Sequence, residues 1–176
     1  MGQLRRPDRR LLGAAGLILA TIGLSSCSSS ASGYAPYQIL LVNARTRTVQ
    51  LTLDAGATGA DGGLNFDGYS NGTLQVSVPV GWTVQVGCNN MSTTLSYSCA
   101  IVGDLPVSTI SPPIAFSGAS IPDPAVGLVL GGSKSFTFVA SRVGRYRIAS
   151  LAPSQEAGGM WDWLVVTSGG RPSVRT

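Results

Sequence analysis

The chain has 176 residues, 44% of them hydrophobic and only 11% charged, which is enough for one domain with a real core. Its formal net charge of +4 is gathered at the start: Arg5, Arg6, Arg9 and Arg10 are four of its 12 basic residues. From Cys27 onward eight basic residues face seven acidic ones, a balance that leaves no basic patch and excludes nucleic acid as a partner.

Taken in chain order, the first feature is an export signal. "RRPDRR" precedes an apolar run over residues 11–24, shorter than the roughly 20 residues a membrane span needs. The ending "LSSC" resembles a bacterial lipobox, in which small residues precede a cysteine that becomes lipidated and N-terminal. Residues 1–26 are therefore expected to be a lipoprotein signal peptide. Cys27 is expected to be the lipid attachment site, and residues 27–36, rich in serine, a flexible tether. An ordinary signal peptide with an incidental cysteine is the alternative. Arg9-Arg10-Leu11-Leu12 also weakly resembles a twin-arginine signal, so the export route stays open. The expected address is the extracytoplasmic face of a cell membrane, reached through the lipid at Cys27.

The remaining residues read as strands and turns. Short apolar runs at 37–42 ("YQILLV") and 48–53 ("TVQLTL") come first. A Gly/Asp/Asn-rich segment over 54–72 follows, too irregular for a helix. "TLQVSVPVGWTVQVGC" gives two strands hinged at Val78-Pro79-Val80-Gly81, where proline offers no ladder donor. Further strands are expected at 95–102, 135–140, 146–150 and 161–166, with one short turn in "PAVGLVLGG" and a loose tail at 169–176. About seven to nine strands over residues 37–168 imply an all-β domain, a Greek-key β-sandwich. Of the three cysteines, lipidation would use Cys27 and leave Cys88 and Cys99 as a pair on consecutive strands. A disulfide there, in an oxidising compartment, should add about 2–3 kcal/mol. A metal-thiolate pair is the alternative, with no other soft ligand beside it.

Two stretches resemble the sulfocyanins, small blue-copper proteins of the cupredoxin fold held at the outer face of a cell membrane. The first is "LNFDGYSNGTLQVSVPVGWTVQV", with Gly68-Tyr69-Ser70-Asn71-Gly72 and Val78-Pro79-Val80-Gly81-Trp82 as its matching elements. The second is "RYRIASLAPSQEAGGMWDWLVV" (145–166), which resembles the family's copper-ligand loop and closing strand. The resemblance implies a cupredoxin sandwich. It also implies a copper held by a thiolate and two imidazoles with an axial thioether, one imidazole coming from an earlier strand and three ligands from the loop.

Carried over residue by residue, the first imidazole falls on Tyr97, the thiolate on Ala149, the loop imidazole on Gln155 and the axial thioether on Met160. The chain contains no histidine. Only Met160 suits its position, so these four are expected to be vestigial, with no metal and no cofactor. They would be filled either as ordinary core or as a shallow pocket rimmed by Gln155 and Glu156. The alternative keeps copper on a non-standard ligand set, for instance a reduced Cys99 brought near Met160, in an electron-transfer protein.

Catalysis by Ser-His-Asp or Cys-His is impossible without histidine, and the carboxylates are scattered singly, so no enzyme is expected. Asn71-Gly72-Thr73 and Asn90-Met91-Ser92 fit the glycosylation acceptor pattern but read as turn chemistry. Trp161 and Trp163 share one strand face, a contact patch if that face is outward. The expected function is a lipid-anchored binding or structural module with an extracytoplasmic protein partner.

Overall fold

The computed structural model describes residues 39–107 and 110–176. The expected leader, Cys27 and the expected tether lie outside the described residues. Nine strands follow in order: β1 (Leu40–Asn43), β2 (Thr48–Ala55), β3 (Gln75–Pro79), β4 (Thr83–Asn90), β5 (Ala100–Gly103), β6 (Ser133–Val139), β7 (Gly144–Ala149), β8 (Trp161–Thr167) and β9 (Ser173–Arg175). They form two sheets, ordered β1-β2-β4-β6 and β5-β7-β8-β3-β9. The β2–β4 and β3–β8 pairs are parallel and the others antiparallel. The all-β sandwich expected from the sequence is what the chain forms.

The core follows from strand alternation. β4 turns Val84, Val86 and Cys88 inward, β8 turns Leu164 and Val166 inward, and β6 adds Phe136 and Phe138. With Leu51, Leu53 and Ile148 they make one buried cluster between the sheets. Fully burying each such side chain stabilises the fold by about 1.5–3 kcal/mol.

Pro79 closes β3, and Gly81, at φ +81°, turns the chain from one sheet to the other. Val80 N–H donates to Thr167 O at 2.8 Å and Gly81 N–H to Ala140 O at 2.9 Å, so the hinge seen in the sequence is a crossover between sheets. The turn expected in "PAVGLVLGG" forms at Asp123, whose carbonyl accepts from Val126 and Gly127.

Three sequence expectations change. The strand expected at 95–102 is a ladder only from Ala100; before that, Tyr97 makes an isolated bridge to Leu128. Consequently the Cys88–Cys99 disulfide (Cα–Cα 6.0 Å) does not join neighbouring strands. It ties β4 of one sheet to the lead-in of β5 in the other. The tail is not loose throughout: Ser173–Arg175 pairs antiparallel with β3 and covers the edge that β3 would otherwise leave open.

Candidate functional site

The loop between β7 and β8 is fixed at its exit by the other stretch that carries the resemblance. Asn71 N–H donates to Gly159 O at 2.8 Å, and Gly72 N–H donates to Trp161 O at 2.9 Å. Both glycines are required there. A Cβ on Gly72 (φ +76°) would stand 2.6 Å from Trp163 Nε1, and one on Gly159 (φ +105°) would stand 2.7 Å from the Asn71 amide. Two motifs almost ninety residues apart are thus two sides of one joint.

Against the inner side of the loop, four residues close on one another. Ser98 N–H donates to Ser150 Oγ at 2.9 Å, and the two hydroxyl oxygens stand 3.2 Å apart. Ser150 Oγ donates to Gln155 Oε1 at 2.6 Å, and Gln155 Nε2 donates to Ser96 O at 2.8 Å. Leu151 N–H caps Ser98 Oγ at 2.7 Å. Met160 joins through its backbone: its N–H donates to Gln155 O at 2.9 Å and its carbonyl accepts from Ser150 N–H at 3.2 Å. Ser98, Ser150 and Met160 are fully buried and Gln155 is 9% exposed.

Of the four positions expected from the sequence, Gln155 and Met160 belong to this group; Tyr97 and Ala149 do not. The Tyr97 ring lies against the glycine-rich segment after β2, where a Cβ on Gly56 would stand 2.4 Å from its Cε2 and one on Gly63 2.8 Å from its hydroxyl. Burial pushes that hydroxyl's pKa up. Ala149 packs with Ala100 and Val102 on the far face of β7, in a small cluster apart from the main core. The residues that take part are their next neighbours, Ser98 and Ser150. Along β7 the inward positions are Tyr146 and Ile148, so the next inward side chain is Ser150 and not Ala149. The alternation of Tyr146, Ile148 and Ser150, and the equal five-residue spacing of Ser150, Gln155 and Met160, carry that signal in the sequence.

The loop's other side is charged. Arg147, 1% exposed, donates from Nε to Glu156 Oε1 at 2.7 Å and from Nη1 to Leu105 O, with Asp104 Oδ1 3.8 Å from Nη1. Glu156 is buried by this pair, so neither it nor Gln155 rims an open pocket. Trp161 and Trp163, half-buried on the same outward face, meet edge to face at 4.9 Å, and the Arg145 guanidinium sits 4.1 Å above the Trp163 ring. Asn90 is buried and donates to the carbonyls of Leu95, Leu128 and Val129, so it serves the turn it was read as.

These residues do not fit a blue-copper ion. Two hydroxyls and a carboxamide stand where a thiolate and imidazoles are needed, and they already bond one another. Cys99 is held in the disulfide with Cys88. Among the described residues no group of three His, Cys, Asp or Glu side chains could hold a metal.

Residues 35–171 match the family model described as the Sulfocyanin (SoxE) domain. Among solved structures, rusticyanin studied as serine-to-aspartate and methionine-to-leucine variants superposes with a TM-score of 0.57 at 22% identity, over 73% of this chain and 86% of that one. A methionine-to-glutamine rusticyanin variant gives 0.53 at 25% identity, over 73% and 87%. Auracyanin from the photosynthetic bacterium Roseiflexus castenholzii is similar at 22% identity over 67% and 96%, with a TM-score of 0.46. No curated protein sequence matches significantly. The rusticyanin superpositions show the fold to be of the cupredoxin type.

Proposed function

The chain belongs to the sulfocyanin family of cupredoxins, and from that premise we propose a member in which hydrogen bonds have taken the place of the metal. It is an exported lipoprotein, anchored at Cys27, that serves as a binding or structural module on the extracytoplasmic side of the membrane. It is neither an electron carrier nor an enzyme. The observation that carries this reading is the 2.6 Å bond from Ser150 to Gln155. A hydroxyl and an amide that satisfy each other, out of contact with water, offer an incoming copper ion neither a thiolate nor an imidazole, and binding it would break their bond.

A protein partner fits the loops around this end. Met91, Leu95, Val129 and Leu130 are exposed apolar side chains on loops that meet at buried Asn90. An open groove of about 630 Å³ runs between Asn89–Thr93 and Leu130–Ser133. Loops on a rigid sandwich are where contacts are made.

Copper titration of the purified protein tests the reading. The expected result is no thiolate-to-copper absorption band and no retained copper; stoichiometric copper with such a band sinks it. The triple change Ser98→His, Ser150→Cys, Gln155→His should restore a coloured copper centre on this scaffold. The same chemistry placed at Tyr97 and Ala149 should not. For the anchor, Cys27→Ser should release the protein from membranes into the soluble fraction, and unchanged membrane retention would refute attachment at that residue.

A further inference from the structure

Counted along the chain, charge after Cys27 is nearly balanced; on the surface it is not. Four of the seven carboxylates there, Asp54, Asp67, Glu156 and Asp162, are buried, against Arg147 alone among the eight basic side chains. That leaves seven exposed cations against three exposed carboxylates, Asp61, Asp104 and Asp123.

The cations gather at one end of the sandwich. Thr48, Thr83 and Val139 lie in one register row, and backbone bonds knit the turns beyond it. Thr83 N–H donates to Arg47 O at 3.0 Å, Gly81 N–H to Ala140 O at 2.9 Å, and Val80 N–H to Thr167 O at 2.8 Å. Arg45 and Arg47 stand on the turn between β1 and β2, Arg142 on that between β6 and β7, and Arg171 on that between β8 and β9. All four are exposed, and among the described residues no carboxylate pairs with any of them. Arg142 Nη2 donates to Ala115 O at 2.7 Å, which holds the guanidinium without matching its charge. Asp104, the acid at this end, is already bonded by Arg145 at 2.9 Å. On the same turns and strand ends Val80, Val139 and Val143 are 37%, 50% and 57% exposed, and Trp82 is half-buried. The other exposed acids stand at the far end: Asp61 in the segment that leaves β2, and Asp123 in the turn leading to the bond from Leu128 N–H to Tyr97 O.

We propose that this turn end is a docking surface for an anionic lipid bilayer. The guanidinium groups take headgroup phosphates, and the valines with Trp82 sit at headgroup level. Charges on the tips of three separate turns, accompanied by exposed valines, match a broad surface of repeated phosphates; a single acidic segment of a protein would not span them. The inference rests on the membrane address proposed above. Fully extended, residues 28–38 span at most about 36–40 Å. The eight residues of β2 measure about 27 Å, so such a tether lets the turn end reach the bilayer. Docked in this way, the molecule turns its β7–β8 loop and the groove beside Asn90 away from the membrane, toward a partner.

Amide exchange of the full-length protein, read by mass spectrometry with and without vesicles, tests the surface. Vesicles containing phosphatidylglycerol should slow exchange at residues 44–47, 80–82 and 140–143 and leave 89–95 unchanged. Raised salt should abolish the effect, and phosphatidylcholine vesicles should not produce it. Arg45→Gln with Arg171→Gln should weaken binding to the vesicles about fivefold per arginine removed, while Arg45→Lys with Arg171→Lys should keep it. The same loss of charge elsewhere, Lys134→Gln with Arg175→Gln, should leave the protection intact. Protection at 89–95 instead, equal protection by phosphatidylcholine, or equal weakening by both glutamine pairs would overturn the surface. Protection by soluble polyglutamate and not by vesicles would overturn it in favour of an acidic protein. In salt-washed membranes, where the arginines no longer hold, Cys27→Ser reports on the anchor alone, so the two readings fail separately.

Discussion

The loop between β7 and β8 is held on its two sides by opposite means. Toward the interior, Ser98, Ser150 and Gln155 bond through neutral groups; toward the outer face, Arg147 and Glu156 bond as ions. The neutral side fixes loop to strand at the end of the core. On the ionic side, full burial of an arginine is tolerable only with its charge matched. Geometry at a cupredoxin site can thus be kept by the outer clamp while the inner chemistry is exchanged.

Breaking that asymmetry gives the largest expected effect. Glu156→Ala leaves the buried Arg147 charge with only the more distant, part-exposed Asp104 and should cost about 3–5 kcal/mol in chemical denaturation. A loss near zero would mean that the pair is dispensable and the inner network alone fixes the loop. The next effect tests the seam between sheets. Replacing Cys88 and Cys99 with alanine should cost about 3 kcal/mol, and it should leave the loop network's amide protection in place.

Ser150→Ala comes third. It leaves Ser98 N–H and Gln155 Oε1 buried without a partner, at about 1–3 kcal/mol. Combining it with Glu156→Ala sharpens the comparison: additivity within about 0.5 kcal/mol means two independent holds, and a larger discrepancy means that the adjacent Gln155 and Glu156 move together. Smallest is Arg145→Ala, which uncovers the Trp163 ring and removes a contact to Asp104 that is itself exposed. About 0.5–1 kcal/mol and a change in tryptophan fluorescence are expected.

Much of the fold was legible because alternation in "TVQVGC", "SFTFVA" and "WDWLVV" states which side chains face the core. β9 was not, since "SVR" has no pattern of its own and becomes a strand only because β3 offers an open edge. The apolar run before Ala100 misled for a related reason: Tyr97 and Cys99 are buried by a glycine cradle and a disulfide, not by a ladder. At the site, the glutamine and methionine were placed by the loop's resemblance to the family's ligand loop. The other two positions slipped by one residue, and on an extended chain one residue is the opposite face. Burial of Asp162 could have been read from its place in register with Leu164 and Val166. Burial of Arg147 could not, because its partner lies across a loop whose path the sequence does not reveal.

The parallel pairing of β3 with β8 sets an order of events. Gln75 lies beside Trp163, and no hairpin can bring them together, so the second sheet has no centre until β8 has been synthesised. β5 and β7 can pair sooner, but β3 must wait, with Val76 and Val78 uncovered in the meantime. A chain delivered N-terminus first therefore stays an unfinished half-sandwich until β8 has emerged, and the second sheet closes in one late step.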